Sequence, residues 1–71
     1  MIFNFEHEIA GVLYDVDAET KLADTLVVLL EVRIVDDNGG FVVLDIKTAD
    51  ERLLAELVAA AAADYMDRCS P

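Results

Sequence analysis

Two aspartates one residue apart, Asp15 and Asp17, with Glu19 close behind, are the densest grouping of potential cation ligands or acid–base groups in the chain. A calcium loop of the EF-hand kind starts with oxygen ligands at alternate positions, but it needs Gly at the sixth position and a chelating Glu at the twelfth. Counted from Asp15, those positions hold Thr20 and Leu26, which supply neither the sharp turn nor the ligand. An Asp-x-Asp pair also serves phosphate-transferring hydrolases, yet a chain of 71 residues cannot build that fold or its partner groups. His7, the single histidine, stands between Glu6 and Glu8. On a strand, neighbouring side chains point to opposite faces, so the imidazole and the two carboxylates cannot converge on one ion. Cys69 and Ser70 lie in a terminal segment with no histidine near in sequence to activate a nucleophile. There is no Gly-rich phosphate loop, no Cys-x-x-Cys pair and no basic-aromatic patch. The expectation is a protein with no enzymatic activity, no cofactor and no metal site.

Binding is left as the way this chain acts, and composition narrows the partners. Fifteen acidic residues face five Lys and Arg, a formal net charge of −10 with a pI near 4.1. That field repels phosphates, so direct contact with nucleic acid or an anionic membrane is not expected, and a basic protein is favoured. Acidic groups also keep an apolar chain dissolved, which is their bland role. This chain needs that service: 56% of its residues are hydrophobic and the mean hydropathy is +0.43. A domain this short buries only about 60% of the surface its unfolded chain exposes. Apolar surface is therefore expected to meet a second chain, most simply as a homodimer. One cysteine permits no internal disulfide, the first residues form no signal peptide, and the aliphatic run from Leu26 to Leu30 is far too short to cross a bilayer. A cytoplasmic location is the expectation.

These groups need a scaffold, and the alternation of apolar residues outlines it. Residues 26–36 and 41–47 are β-branched and alternate, with Asp37-Asn38-Gly39-Gly40 between them as a hairpin signal. A two-residue Asn-Gly loop would place the apolar rows of the two strands on opposite faces. A three-residue loop with Gly39 left-handed pairs Ile34 with Val42, Val32 with Leu44 and Leu30 with Ile46, so the rows coincide. The other face carries Val27, Leu29, Glu31, Arg33 and Val35 opposite Phe41, Val43, Asp45 and Lys47, a mixed surface. Residues 2–6 and 9–16 read as strands, and 17–24 as a loop or single helical turn capped by Asp17. Thr48-Ala49-Asp50-Glu51 reads as a capping box opening a helix from about 49 to 68. Its apolar stripe is Leu54, Leu57, Val58, Ala61, Tyr65 and Met66, with Arg52, Glu56, Ala59, Ala63 and Asp67 opposite. Arg68 suits its last turn. The predicted architecture is one α+β domain spanning 1–71: an antiparallel β-sheet of three to four strands, in the order β-β-β-β-α, with one long C-terminal helix packed on one face.

The segment from Asp15-Val16-Asp17 through Leu22-Ala23-Asp24 into Val27–Arg33 resembles in part the strand region of SecB-type export chaperones, which are also acidic. The likeness covers under half of the chain and stops before the aromatic segment such chaperones carry, so no residue role follows from it.

Two surfaces are candidates for binding. The N-terminal acids Glu6, Glu8, Asp15, Asp17, Glu19 and Asp24, answered nearby only by Lys21, form a cluster suited to a basic, nucleic-acid-handling protein. Small acidic inhibitors and adaptors, such as phage anti-defence and immunity-type proteins, share this size and charge. The alternative is a self-assembling structural or chaperone-like module. Its seam would be the mixed sheet face, with Val27, Leu29, Val35, Phe41 and Val43, or the alanine run, with Ala59, Ala60 and Ala63. Core packing of the helix on its own sheet is the plainer role for those alanines.

Overall fold

A computed structural model of the chain describes residues 1–22 and 26–69. The strands are β1 (Ile2–Ile9), β2 (Val12–Lys21), β3 (Leu26–Val35) and β4 (Phe41–Leu44), followed by helix α1 (Glu51–Cys69). They form one antiparallel sheet in the order β1-β2-β3-β4, with α1 against β1 and β3. This is the α+β arrangement that the alternation implies.

The first hairpin is longer than expected. β1 reaches Ile9, which pairs with Val12 across the two residues Ala10 and Gly11, at φ 51° and 81°. Positive φ at both central positions is the type I′ geometry, whose twist matches that of the flanking strands. The predicted loop over 17–24 is corrected as far as Lys21, since β2 continues to that residue. Asp17 lies within the strand and caps no helix. The alternation that carries the strand on is Asp17 and Glu19 outward against buried Ala18 and Thr20.

The second hairpin follows the three-residue loop. Val35 pairs with Phe41, Ile34 with Val42 and Val32 with Leu44, and Gly39 has φ 83°. The Asp36 carboxylate accepts hydrogen bonds from the N–H groups of Asn38 at 2.8 Å and Gly40 at 2.9 Å, which ties the loop. A Cβ on Gly40 would lie 2.9 Å from that carboxylate, so the position requires glycine. The predicted Leu30–Ile46 pair does not form, because β4 ends at Leu44. Asp45 turns the chain instead, accepting from Lys47 N at 3.0 Å and Thr48 N at 3.2 Å.

A bulge in β3 corrects the assignment of faces. Asp17 pairs with Glu31 but Ala18 with Leu29, so Leu30 is the extra residue. One unpaired residue inverts the in–out alternation of everything before it. Val27 and Leu29 therefore pack against the core beside Ile34, and Leu30 is exposed. Leu30 leaves the apolar row predicted for it, and Val27 and Leu29 leave the outer surface.

Helix α1 starts two residues later than predicted. Asp50 is its N-cap, accepting from Arg52 N at 3.1 Å, while its own C=O accepts from Leu54 N. The Thr48 hydroxyl points back to the Asp45 carbonyl, so no Thr48–Glu51 capping box forms. The buried stripe is Leu53, Leu57, Ala60, Ala61 and Tyr65, rotated from the predicted one, and Met66 is exposed. These residues meet Phe3, Phe5, Tyr14, Val16, Ala18 and Val32 on the sheet. Leu57, Val16 and Val32 are fully buried, each worth about 1.5–3 kcal/mol. Ala18 and Ala61 are also wholly buried and set a close approach of helix to sheet. Tyr65 closes one end of this layer, its ring 5.6 Å from Phe3.

Candidate docking surface

The sheet face turned away from α1 collects the carboxylates. On it, β1 and β2 set Glu6 opposite Asp15 and Asn4 opposite Asp17, while β2 and β3 set Asp15 opposite Arg33 and Asp17 opposite Glu31. Glu8 and Glu19 extend the row at either end. The acids picked out by type thus share one face, along its length rather than at one end of the sheet. Asp24 lies outside the described residues.

At the centre, Arg33 is the cation around which this face is organised. Its Nε donates to Asp15 Oδ2 at 3.0 Å, and its Nη1 and Nη2 each reach an oxygen of Asp17 at 3.1 Å. Nη1 also pairs with Glu31. Asn4 completes the mesh, its amide donating to Asp15 at 2.7 Å and to Asp17 at 2.8 Å. Asn4 and Arg33 hold the Asp15 carboxyl below its usual pKa, and Arg33 and Asn4 do the same for Asp17. The carboxylates in turn raise the Arg33 guanidinium. Their cation is therefore Arg33, while Lys21 pairs with Glu19 at 3.6 Å. Arg33, Glu31 and Asn4 join these acids although the sequence pattern alone does not mark them as partners. The signal is the small-residue alternation of Ala18 and Thr20, which carries β2 far enough to bring Asp17 beside Glu31.

Beside the charged mesh lies an apolar corner. Val35 and Phe41 pair at the hairpin end with Leu13 on the other side, and Val43 follows. Phe41 is 59% exposed and Val43 52%. Of the predicted seam residues, Val35, Phe41 and Val43 share this corner. Ala59 and Ala63 are exposed on α1, on the other side of the sheet, and Ala60 packs against the core. The seam residues thus divide among separate surfaces.

His7 points to the helix side, away from Glu6 and Glu8, as strand geometry requires, and it is half-buried opposite Tyr14. Among the described residues no three His, Cys, Asp or Glu side chains are arranged to hold a metal ion. No described helix is long and apolar enough to cross a membrane. Comparison with known proteins adds no assignment: no family model matches, and neither a curated protein nor a solved structure does.

Proposed function

We propose that this chain is a small acidic protein-binding module, an inhibitor or adaptor that docks on a basic, nucleic-acid-handling protein through the outer face of its sheet. The observation that carries this reading is the mesh around Arg33. Glu6, Glu8, Asp15, Asp17, Glu19 and Glu31 occupy one face with a single arginine among them. Asn4 and Arg33 pre-order two of these carboxylates, which lowers the entropy lost when a partner's cations meet them. Such a surface accelerates association and loses affinity as salt is added. Glu6 and Glu8 are exposed and, among the described contacts, accept no bond from Arg33 or Asn4, so they are the residues to reverse. The double variant E6K/E8K should remain folded by circular dichroism. It should fail to retain a host nucleic-acid-handling protein that the unaltered chain captures at low salt and releases at high salt. Retention unchanged by the variant and by salt would sink this reading.

A second reading, self-assembly into a dimer, has its own support in the exposed corner formed by Val35, Phe41 and Val43. The two are compatible, since a dimer sealed at that corner presents two acidic faces. Sedimentation at micromolar concentration decides it: a strict monomer removes the second reading and leaves the first.

A further inference from the structure

Strand β1 borders the sheet, with β2 on one side and no described strand on the other. Its first hydrogen bonds reveal which backbone groups face outward. Met1 and Thr20 exchange both bonds, Thr20 N to Met1 O at 2.9 Å and Met1 N to Thr20 O at 3.3 Å. In an antiparallel ladder such pairs alternate, so Phe3, Phe5, His7 and Ile9 bond to β2. The N–H and C=O groups of Ile2, Asn4, Glu6 and Glu8 then point away from the sheet. Arg68 bears this out: its Nη2 donates to the Asn4 carbonyl at 2.6 Å, while its guanidinium lies 5.7 Å from the Phe3 ring centroid and pairs with Asp64. A basic side chain thus already holds one position of this border. Farther along, the border opens into a groove of about 420 Å³, whose lining includes Glu6, His7, Ala60, Ala63, Asp64 and Asp67. Its volume would suit a small ligand, but it is open along its length rather than enclosing.

We propose that the outer border of β1, with this groove, is a strand-addition site for an extended basic segment of another protein. The backbone groups of Glu6 and Glu8, beyond the position that Arg68 holds, give an added strand its hydrogen bonds. Side chains of that strand alternate. One row falls beside Glu6 and Glu8, and the other enters the groove toward Asp64 and Asp67, where the small Ala60 and Ala63 leave room for long side chains. Both rows meet carboxylates, which selects lysine or arginine. A second copy of β1 fits poorly, because it would bring Glu6 and Glu8 against acids of its own kind. This inference rests on the function proposed above for the partner's basic character, and places a second site along the border of β1, which shares Glu6 and Glu8 with the outer face.

The test uses a short synthetic oligolysine peptide, basic in both rows, and its fully N-methylated counterpart, which keeps the charges and side chains but has no backbone donors. Fluorescence anisotropy at low salt should show the plain peptide binding at least about tenfold more tightly, the effect of losing a few hydrogen bonds near 1 kcal/mol each. Ala63→Leu, at an exposed helical position lining the groove, should weaken the plain peptide severalfold. E19Q/E31Q, on the outer face away from the border, should leave it unchanged. Equal binding of the two peptides, or binding of neither, overturns the strand-addition site and leaves the outer-face reading standing. Discrimination between the peptides together with partner capture indifferent to E19K/E31K, which reverses charge only on the outer face away from the border, has the opposite meaning.

Discussion

At the residue scale, the Arg33 mesh makes the strongest chemical statement. Asp17 takes two arginine nitrogens and Asp15 only one, whereas both take a bond from Asn4. Arg33→Met should therefore raise the Asp17 pKa more than that of Asp15, and Asn4→Ala the reverse, as read by carboxyl carbon shifts in an NMR titration. The stability consequence has a definite sign. Both carboxyls ionise more readily folded than unfolded. Their contribution is complete above the unfolded value of about 3.9 and vanishes as pH falls through the lower folded values. Either variant should lose part of that contribution, so acid unfolding followed by circular dichroism should begin at a higher pH. A mesh whose Asp15 and Asp17 titrate alike in all three proteins would contradict the assigned bonds. In the core, Leu57→Ala should cost about 2–5 kcal/mol, a large share of the stability of so short a domain. Met66→Ala, at a position 71% exposed, should leave the urea midpoint nearly unchanged.

Among the elements, the caps and turns decide where strands and helix stop. Asp50→Ala should cost about 1 kcal/mol in urea denaturation through the lost N-cap, with Thr48→Ala well below that. Equal losses would restore the capping box that the sequence suggests. Gly40→Ala should also destabilise by about 1 kcal/mol or more, because the Asp36 carboxylate cannot withdraw without releasing the two N–H groups it holds. The loop at Gly39 was legible because two apolar rows can share a face in only one register. Other features were hidden for identifiable reasons. Residues 26–30 are all aliphatic, so they carry no parity and give no sign that Leu30 bulges. Ala10 takes a left-handed conformation that alanine seldom adopts, so Ala10-Gly11 lacks the usual turn signal. In β2, the charges of Asp17, Glu19 and Lys21 mask a strand whose inward positions, Ala18 and Thr20, are small and buried. The helix itself was plain from its spacing. Its rotation was not, since Leu53, Leu54, Leu57 and Val58 offer two adjacent stripes of nearly equal hydrophobicity.

For the molecule as a whole, the apolar surplus predicted from composition is visible at the surface. Phe41, Val42 and Val43 are all more than half exposed. If that corner seals a dimer, F41K/V43K should sediment as a monomer with an unaltered circular dichroism spectrum, and the unaltered chain should not. Part of the acidic excess is gathered, one group on the outer sheet face and another along the helix at Asp64 and Asp67, while Asp36, Asp37, Asp45, Asp50, Glu51 and Glu56 lie in the loops and the first turns of the helix. Docking strength should therefore follow ionic strength while fold stability follows it far less, two dependences separable by measuring both on the same sample.

Each strand of this sheet meets its neighbour in sequence, whereas Arg68 and Asn4 join positions 64 residues apart. The closures that build the sheet are short, and the one that seats the helix spans nearly the entire chain. During synthesis the ribbon should form early, with Phe3, Phe5, Val16 and Val32 uncovered until the final turns leave the ribosome. Throughout that interval those apolar side chains should be exposed, with the mutual repulsion of the chain's acids opposing coagulation.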